Sequence, residues 1–173
     1  MFNSKAYALI KADIFRVTPP NGFTLECVFK VNDIGLDAPV LDWTMGVPGR
    51  GIYVYKDRAF IYIPEAVVMS LTVHYEPHGI AANNEALHVA FVFDAVNRYA
   101  KIYLNGVLSA ASELTYSELV GGKYMNYNNI FLNYNVEADP SKMIYGNCKI
   151  AAVRLYSDAL TSDELVKNYI YNL

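Results

Sequence analysis

His88-Val89-Ala90-Phe91-Val92-Phe93-Asp94, followed after a short connection by Lys101-Ile102-Tyr103-Leu104-Asn105-Gly106-Val107-Leu108-Ser109-Ala110, is the stretch whose reading decides the fold. Val, Phe, Ile and Tyr dominate it, the side chains that fit a pleated, half-buried surface. Asn105-Gly106 separates two such runs, and Asn-Gly is the preferred pair for a two-residue type I′ turn because both positions need positive φ. The stretch therefore predicts strands joined in antiparallel fashion, with the last connection a tight hairpin.

The same pattern extends outward in both directions. Phe23, Leu25, Cys27 and Phe29 alternate with Thr24, Glu26, Val28 and Lys30, directly after the turn signal Pro19-Pro20-Asn21-Gly22, so one face points to a core and the other is mixed. Gly51 to Lys56 and Ala59 to Ile63 flank the polar connection Lys56-Asp57-Arg58, and Pro64 denies the second run a ladder donor, as at an edge or bend. Val67 to Tyr75 and Ala86 to Asp94 read as two more strands. At the C-terminal end the period changes. Thr161-Ser162-Asp163-Glu164 is a capping box with Thr161 as N-cap, Leu160 and Leu165 form a hydrophobic staple across it, and Leu165/Tyr169 and Val166/Ile170 repeat at helical spacing. These features predict an all-β, two-sheet antiparallel sandwich with a short C-terminal α-helix, in a single domain spanning residues 1–173.

The composition agrees. Of 173 residues, 54% are hydrophobic and 18% charged, with 15 Tyr and 8 Phe, the profile of an ordinary globular chain. A chain of this size buries enough surface to need no staple of disulfides or metal. Net charge is −3, with Lys and Arg scattered, so the electrostatic footprint of a nucleic-acid or anionic-membrane binder is missing. No apolar run is long enough to span a bilayer as a helix, and Met1-Phe2-Asn3-Ser4-Lys5 lacks a basic segment followed by a hydrophobic one, so residence in a cytoplasm is expected. Cys27 and Cys148 both fall in expected strands, where Cys commonly serves as a small buried hydrophobe; a bridge between them requires neighbouring strands.

Three segments together resemble the laminin-G-like branch of the concanavalin A-like superfamily. Phe23 to Lys30 is similar to its early core strand; His88 to Asp94 with Lys101 to Val107, to its central strand and "LYxNG" hairpin; and Gly146 to Tyr156 with Asp158-Ala159-Leu160-Thr161 and Glu164-Leu165, to its closing strand and "RxYxxALTxxE" helix start. Leu87 stands where the family often has Trp, and Asn133 where Gly is frequent. The resemblance implies a jelly-roll sandwich over nearly the whole chain. It also implies kinship with free-standing jelly rolls of tailed-bacteriophage structural proteins, which assemble in the host cytoplasm without a secretion signal.

Chemistry is sparse. Retaining glucanases on this scaffold place two carboxylates about 5 Å apart on one strand face, in a Glu-x-Asp-x-x-Glu run. The sequence has no such run, and Glu113 and Glu118 sit around an expected turn. His74-Tyr75-Glu76-Pro77-His78 superficially suggests metal ligands, but in a strand i and i+4 lie about 13 Å apart. His88 is read as a packed or hydrogen-bonded strand residue. Asp33, Asp37, Asp42 and Asp139 offer oxygens for a rim calcium but match no site spacing. No nucleophile elbow occurs. The expectation is a non-catalytic protein with no cofactor and no metal.

The densest candidate for recognition is Tyr124, Asn126, Tyr127, Asn128 and Tyr134, with Asn129 and Asn133 among them. Tyr offers a flat apolar face with a polar tip, and Asn adaptable donors and acceptors, which suits a sugar or a protein contact. The alternative is a loop packed on its own sheet. The expected function is a virion surface component, in capsid decoration, head fibre, tail or baseplate, acting through protein contacts or self-association and secondarily through cell-surface glycan. The other reading is a free-standing lectin-like protein. Neither nucleic acid nor membrane insertion is expected.

Overall fold

The computed structural model describes residues 8–11, 21–31, 39–44, 51–55, 57–63, 69–74, 86–114, 129–132 and 148–171. Among them the strands are β1 (Ala8–Lys11), β2 (Gly22–Val31), β3 (Leu41–Thr44), β4 (Gly51–Val54), β5 (Arg58–Ile63), β6 (Met69–His74), β7 (Leu87–Asp94), β8 (Tyr99–Leu104), β9 (Val107–Glu113), β10 (Asn129–Leu132) and β11 (Cys148–Tyr156). One helix, α1 (Ser162–Ile170), follows. A six-stranded sheet runs β1-β10-β3-β4-β5-β6 and a five-stranded sheet β11-β2-β7-β8-β9, with every pairing antiparallel. This is the two-sheet sandwich with a short C-terminal helix that the alternation predicted.

The sheets face each other across one apolar core, to which β2 contributes the residues its alternation assigns inward. Phe23, Leu25, Cys27 and Phe29 of β2, Leu87, Val89, Phe91 and Phe93 of β7, and Ala100 and Ile102 of β8 meet Leu41 and Trp43 of β3, Ile52 and Val54 of β4, and Ala59 and Ile61 of β5. Phe23 stacks on Phe93 at 4.4 Å between ring centres and meets Trp43 edge-on at 5.6 Å. Burial of this apolar surface is the main favourable term in folding.

The Asn105-Gly106 turn forms as expected, with φ of 50° and 78°. It does more than reverse the chain. Asn105 Oδ1 accepts the His88 N–H at 3.0 Å, and a Cβ on Gly106 would lie 3.1 Å from the Val166 backbone, so the glycine also lets α1 approach. The capping box is present too: Glu164 N–H donates to Thr161 Oγ1, and Thr161 N–H donates to Glu164 Oε2 at 2.8 Å.

Three features differ from the sequence reading. Arg58, assigned there to the connection, begins β5, because Tyr55 N–H closes the turn on the Arg58 carbonyl at 2.7 Å. The short strands β1 and β3 carry too few alternating residues to stand out in isolation. The mixed face of β2 is buried as well, with Thr24 and Glu26 both at 0% exposure, because residues 156–169 lie over it.

The two cysteine-bearing strands are neighbours, yet the register opposes Cys148 to Val31 and Cys27 to Val153. That places the pair roughly 13 Å apart along the strand direction, beyond the ~7 Å Cα reach of a disulfide. Neither cysteine forms a disulfide and both are buried; burial pushes Cys148 up to about 12, and burial followed by the Cys148 charge pushes Cys27 higher still, which disfavours the thiolate at both.

Candidate functional site

Where β7 turns into β8, the outer face of the five-stranded sheet opens into a cleft of about 490 Å³. Its floor and one wall come from Asp94, Val96, Asn97, Lys101 and Tyr103; the other wall comes from Asn21 and the segment Asp158-Ala159-Leu160-Thr161-Ser162 that enters α1. The volume lies in the range of about 300–1,000 Å³ typical of small-molecule sites.

Each wall is built by a local device. Asp94 ends β7 and folds the following turn onto its carboxylate: Asn97 N–H donates to Oδ1 at 2.9 Å and Asn97 Nδ2 to Oδ2 at 2.8 Å, while Lys101 Nζ stands 3.5 Å from Oδ2. Burial by itself raises the Asp94 pKa, but the Asn97 bonds and the Lys101 charge outweigh it and hold the carboxyl below its ordinary value. Across the cleft, buried Thr24 acts as a clamp. Its Oγ1 donates to the Asp158 carbonyl and accepts the Leu160 N–H, both at 2.9 Å, and Asn21 Nδ2 reaches Asp158 Oδ1 at 3.2 Å. Tyr103 Oη and Ser162 Oγ, 3.4 Å apart, join floor to wall.

The cleft thus presents amides, hydroxyls, two carboxylates and one ammonium around a small apolar strip. It can hydrogen-bond a polyhydroxylated ligand. Two carboxylates in one cleft invite comparison with a glycosidase, whose general acid needs a raised pKa. Asp94 departs in the opposite direction, and Asp158 is an exposed loop residue bonded to Asn21.

A second group of chemistry-bearing residues is sealed. On the same sheet face, beneath α1, Glu26 is 0% exposed and His88 1%. Asn168 Nδ2 donates to Glu26 Oε1 at 2.9 Å, Tyr156 Oη donates to Oε2 at 3.1 Å, His88 Nε2 lies 3.4 Å from Oε1, and Arg154 stands 3.6 Å from Oε2. Tyr169 lies parallel to the His88 ring at 6.1 Å. Burial raises the Glu26 pKa, but the approach of His88 and the bonds from Asn168 and Tyr156 together leave it lowered; burial and then the Glu26 charge raise that of Tyr156. No substrate reaches these groups without removing the helix, so they serve to hold α1 down. His88 is the packed strand residue that the sequence reading assigned.

The other candidates scatter. Tyr124, Asn126, Tyr127, Asn128 and Tyr134 lie outside the described residues, as do Asn133, His78, Glu118, Asp33, Asp37 and Asp139. His74 and Glu113 are exposed strand ends, whereas Asp42 is buried on β3. Among the described residues no three His, Cys, Asp or Glu side chains group as metal ligands, and no helix is long and apolar enough to cross a membrane. Sequence reasoning missed the cleft, although Asp94-x-x-Asn97 is a readable side-chain-capped turn.

No curated protein matches the sequence. Among solved structures, the chain is similar to the binding domain of botulinum neurotoxin serotype C1, with 14% identity, a TM-score of 0.65 and coverage of 95% of this chain and 40% of that one. It is likewise similar to a botulinum neurotoxin DC binding domain in complex with rat synaptotagmin II, and to a type C structure described in terms of cell entry through two ganglioside molecules; each has 14% identity, a TM-score of 0.65 and coverage of 96% of this chain and 40% of the other. The chain therefore spans about two fifths of those molecules, and at such identity the likeness is one of fold. A family model describing the concanavalin A-like lectin/glucanases superfamily matches residues 2–166, and with that match over the sandwich described above, the chain belongs to this superfamily.

Proposed function

We propose that this protein is a non-catalytic recognition module that engages a glycan or a protein surface. The observation that carries this reading is the cleft between the 94–98 turn and the entry to α1, where hydrogen-bonding side chains converge around Asp94, a carboxylate with lowered pKa. The structurally similar toxin domains, described with gangliosides and with synaptotagmin II, support a fold suited to both kinds of partner. Fold alone does not assign function, so the cleft must be tested directly. Binding of the full chain to immobilised glycans should be lost on Asn97→Ala, with the melting temperature shifted far less than by a core substitution. Release of reducing sugar from a β-glucan, abolished by Asp94→Asn or Asp158→Asn, would overturn the non-catalytic reading.

The finer proposal places the module on a bacteriophage virion surface, with self-association or a virion protein as partner and glycan contact as a second role. Its support is the resemblance of the strand, hairpin and helix-start segments to the laminin-G-like branch, whose free-standing jelly rolls are similar to structural proteins of tailed bacteriophages. The aromatic and amide stretch Tyr124, Asn126, Tyr127, Asn128 and Tyr134 is proposed as part of the contact surface. Tyr127→Ala should weaken assembly or binding by about 1–3 kcal/mol with little change in stability. A stability loss of about 3–5 kcal/mol instead would mark a core tyrosine. Light scattering should find a closed oligomer such as a trimer; a monomer at all concentrations argues for the lectin-like alternative.

A further inference from the structure

The cleft wall is electrostatically lopsided. Asp94 and Asp158 both line it, and its lining cation, Lys101, is already engaged, 3.5 Å from Asp94 Oδ2 and 5.8 Å from the centre of the Tyr99 ring. The Asp94 charge is a fixed feature, since that residue is 8% exposed and held by two bonds from Asn97. The amides and hydroxyls that remain are neutral groups that donate and accept, as ligand hydroxyls require.

We infer that this cleft takes a saccharide that is uncharged or carries an amine, and discriminates against one that carries a carboxylate. This rests on the reading of the cleft as a recognition site. Among the described lining residues two carboxylates stand against one ammonium, a formal excess of one negative charge, so an entering ammonium is attracted and an entering carboxylate repelled. In a cleft open to water, each such charge changes affinity by about fivefold at moderate salt.

The test uses the full ¹⁵N-labelled chain titrated with glucose, glucosamine and glucuronate, at a slightly acidic pH where the amine is protonated, reading the backbone amides of Asn97, Lys101 and Ser162. Glucosamine should bind about fivefold tighter than glucose, and glucuronate about fivefold weaker, with the spread narrowing in high salt. Asp158→Lys should reverse the order, while melting unchanged shows that the fold is kept. Glucuronate binding as tightly as glucose, with the same amides moving, overturns the charge selection alone. If none of the three sugars moves these amides, the reading of the cleft as a saccharide site falls, and the inference with it.

Discussion

Asn168 donates its side-chain N–H to Oε1 of the fully buried Glu26 at 2.9 Å, tying the last turns of α1 to the middle of the five-stranded sheet. A carboxylate taken out of water is costly unless its lone pairs are met. Here Asn168, Tyr156, His88 and Arg154 surround it from α1, β11 and β7. Removing the centre of this group strands all of its partners. Glu26→Ala should therefore cost about 3–5 kcal/mol in urea unfolding, and Asn168→Ala about 1–3 kcal/mol. Losses of a few tenths for both would show that the helix is held by apolar contact alone.

The same carboxylate makes stability depend on acid. The folded-state pKa of Glu26 lies below its ordinary value, so its contribution is complete above the unfolded value of about 4.3 and is lost as pH falls through the folded one. Asp94, also lowered, acts in the same direction. Unfolding midpoints measured from pH 7 to pH 3 should fall steeply at the acid end. Glu26→Gln should flatten that fall, and an unchanged slope would remove Glu26 as a cause.

Gly22 opens β2 with φ of +107°, and a Cβ placed there would sit 1.8 Å from the Phe93 carbonyl oxygen. Backbone cannot yield as a side-chain tip does. Gly22→Ala should cost more than about 3 kcal/mol or prevent folding, while Gly106→Ala, facing Val166 at 3.1 Å, should cost less. Thermal melts of the two variants side by side check the order.

Thr161→Ala removes the N-cap acceptor of α1 and should cost about 1 kcal/mol, with Ser at that position restoring most of it. Calorimetry decides this. Since Thr161 also lines the cleft, a binding defect retained by the Ser variant would separate a specific methyl contact from the cap.

The sequence by itself determined what near neighbours settle. Alternation told which side of β2 faces the core, Asn105-Gly106 set a turn needing two positive φ values, and Thr161 with Glu164 set the start of α1, because each depends on residues a few positions apart. The tertiary structure alone decided why Thr24 and Glu26, on the polar side of an alternating strand, are buried: the chain beyond Tyr156 returns across them. It decided the cysteine separation by fixing the β2 and β11 register. It also made the cleft, whose Asn21 and Asp158 meet across 137 positions of sequence, a closure that no local period encodes, because it follows from how sheet and helix pack.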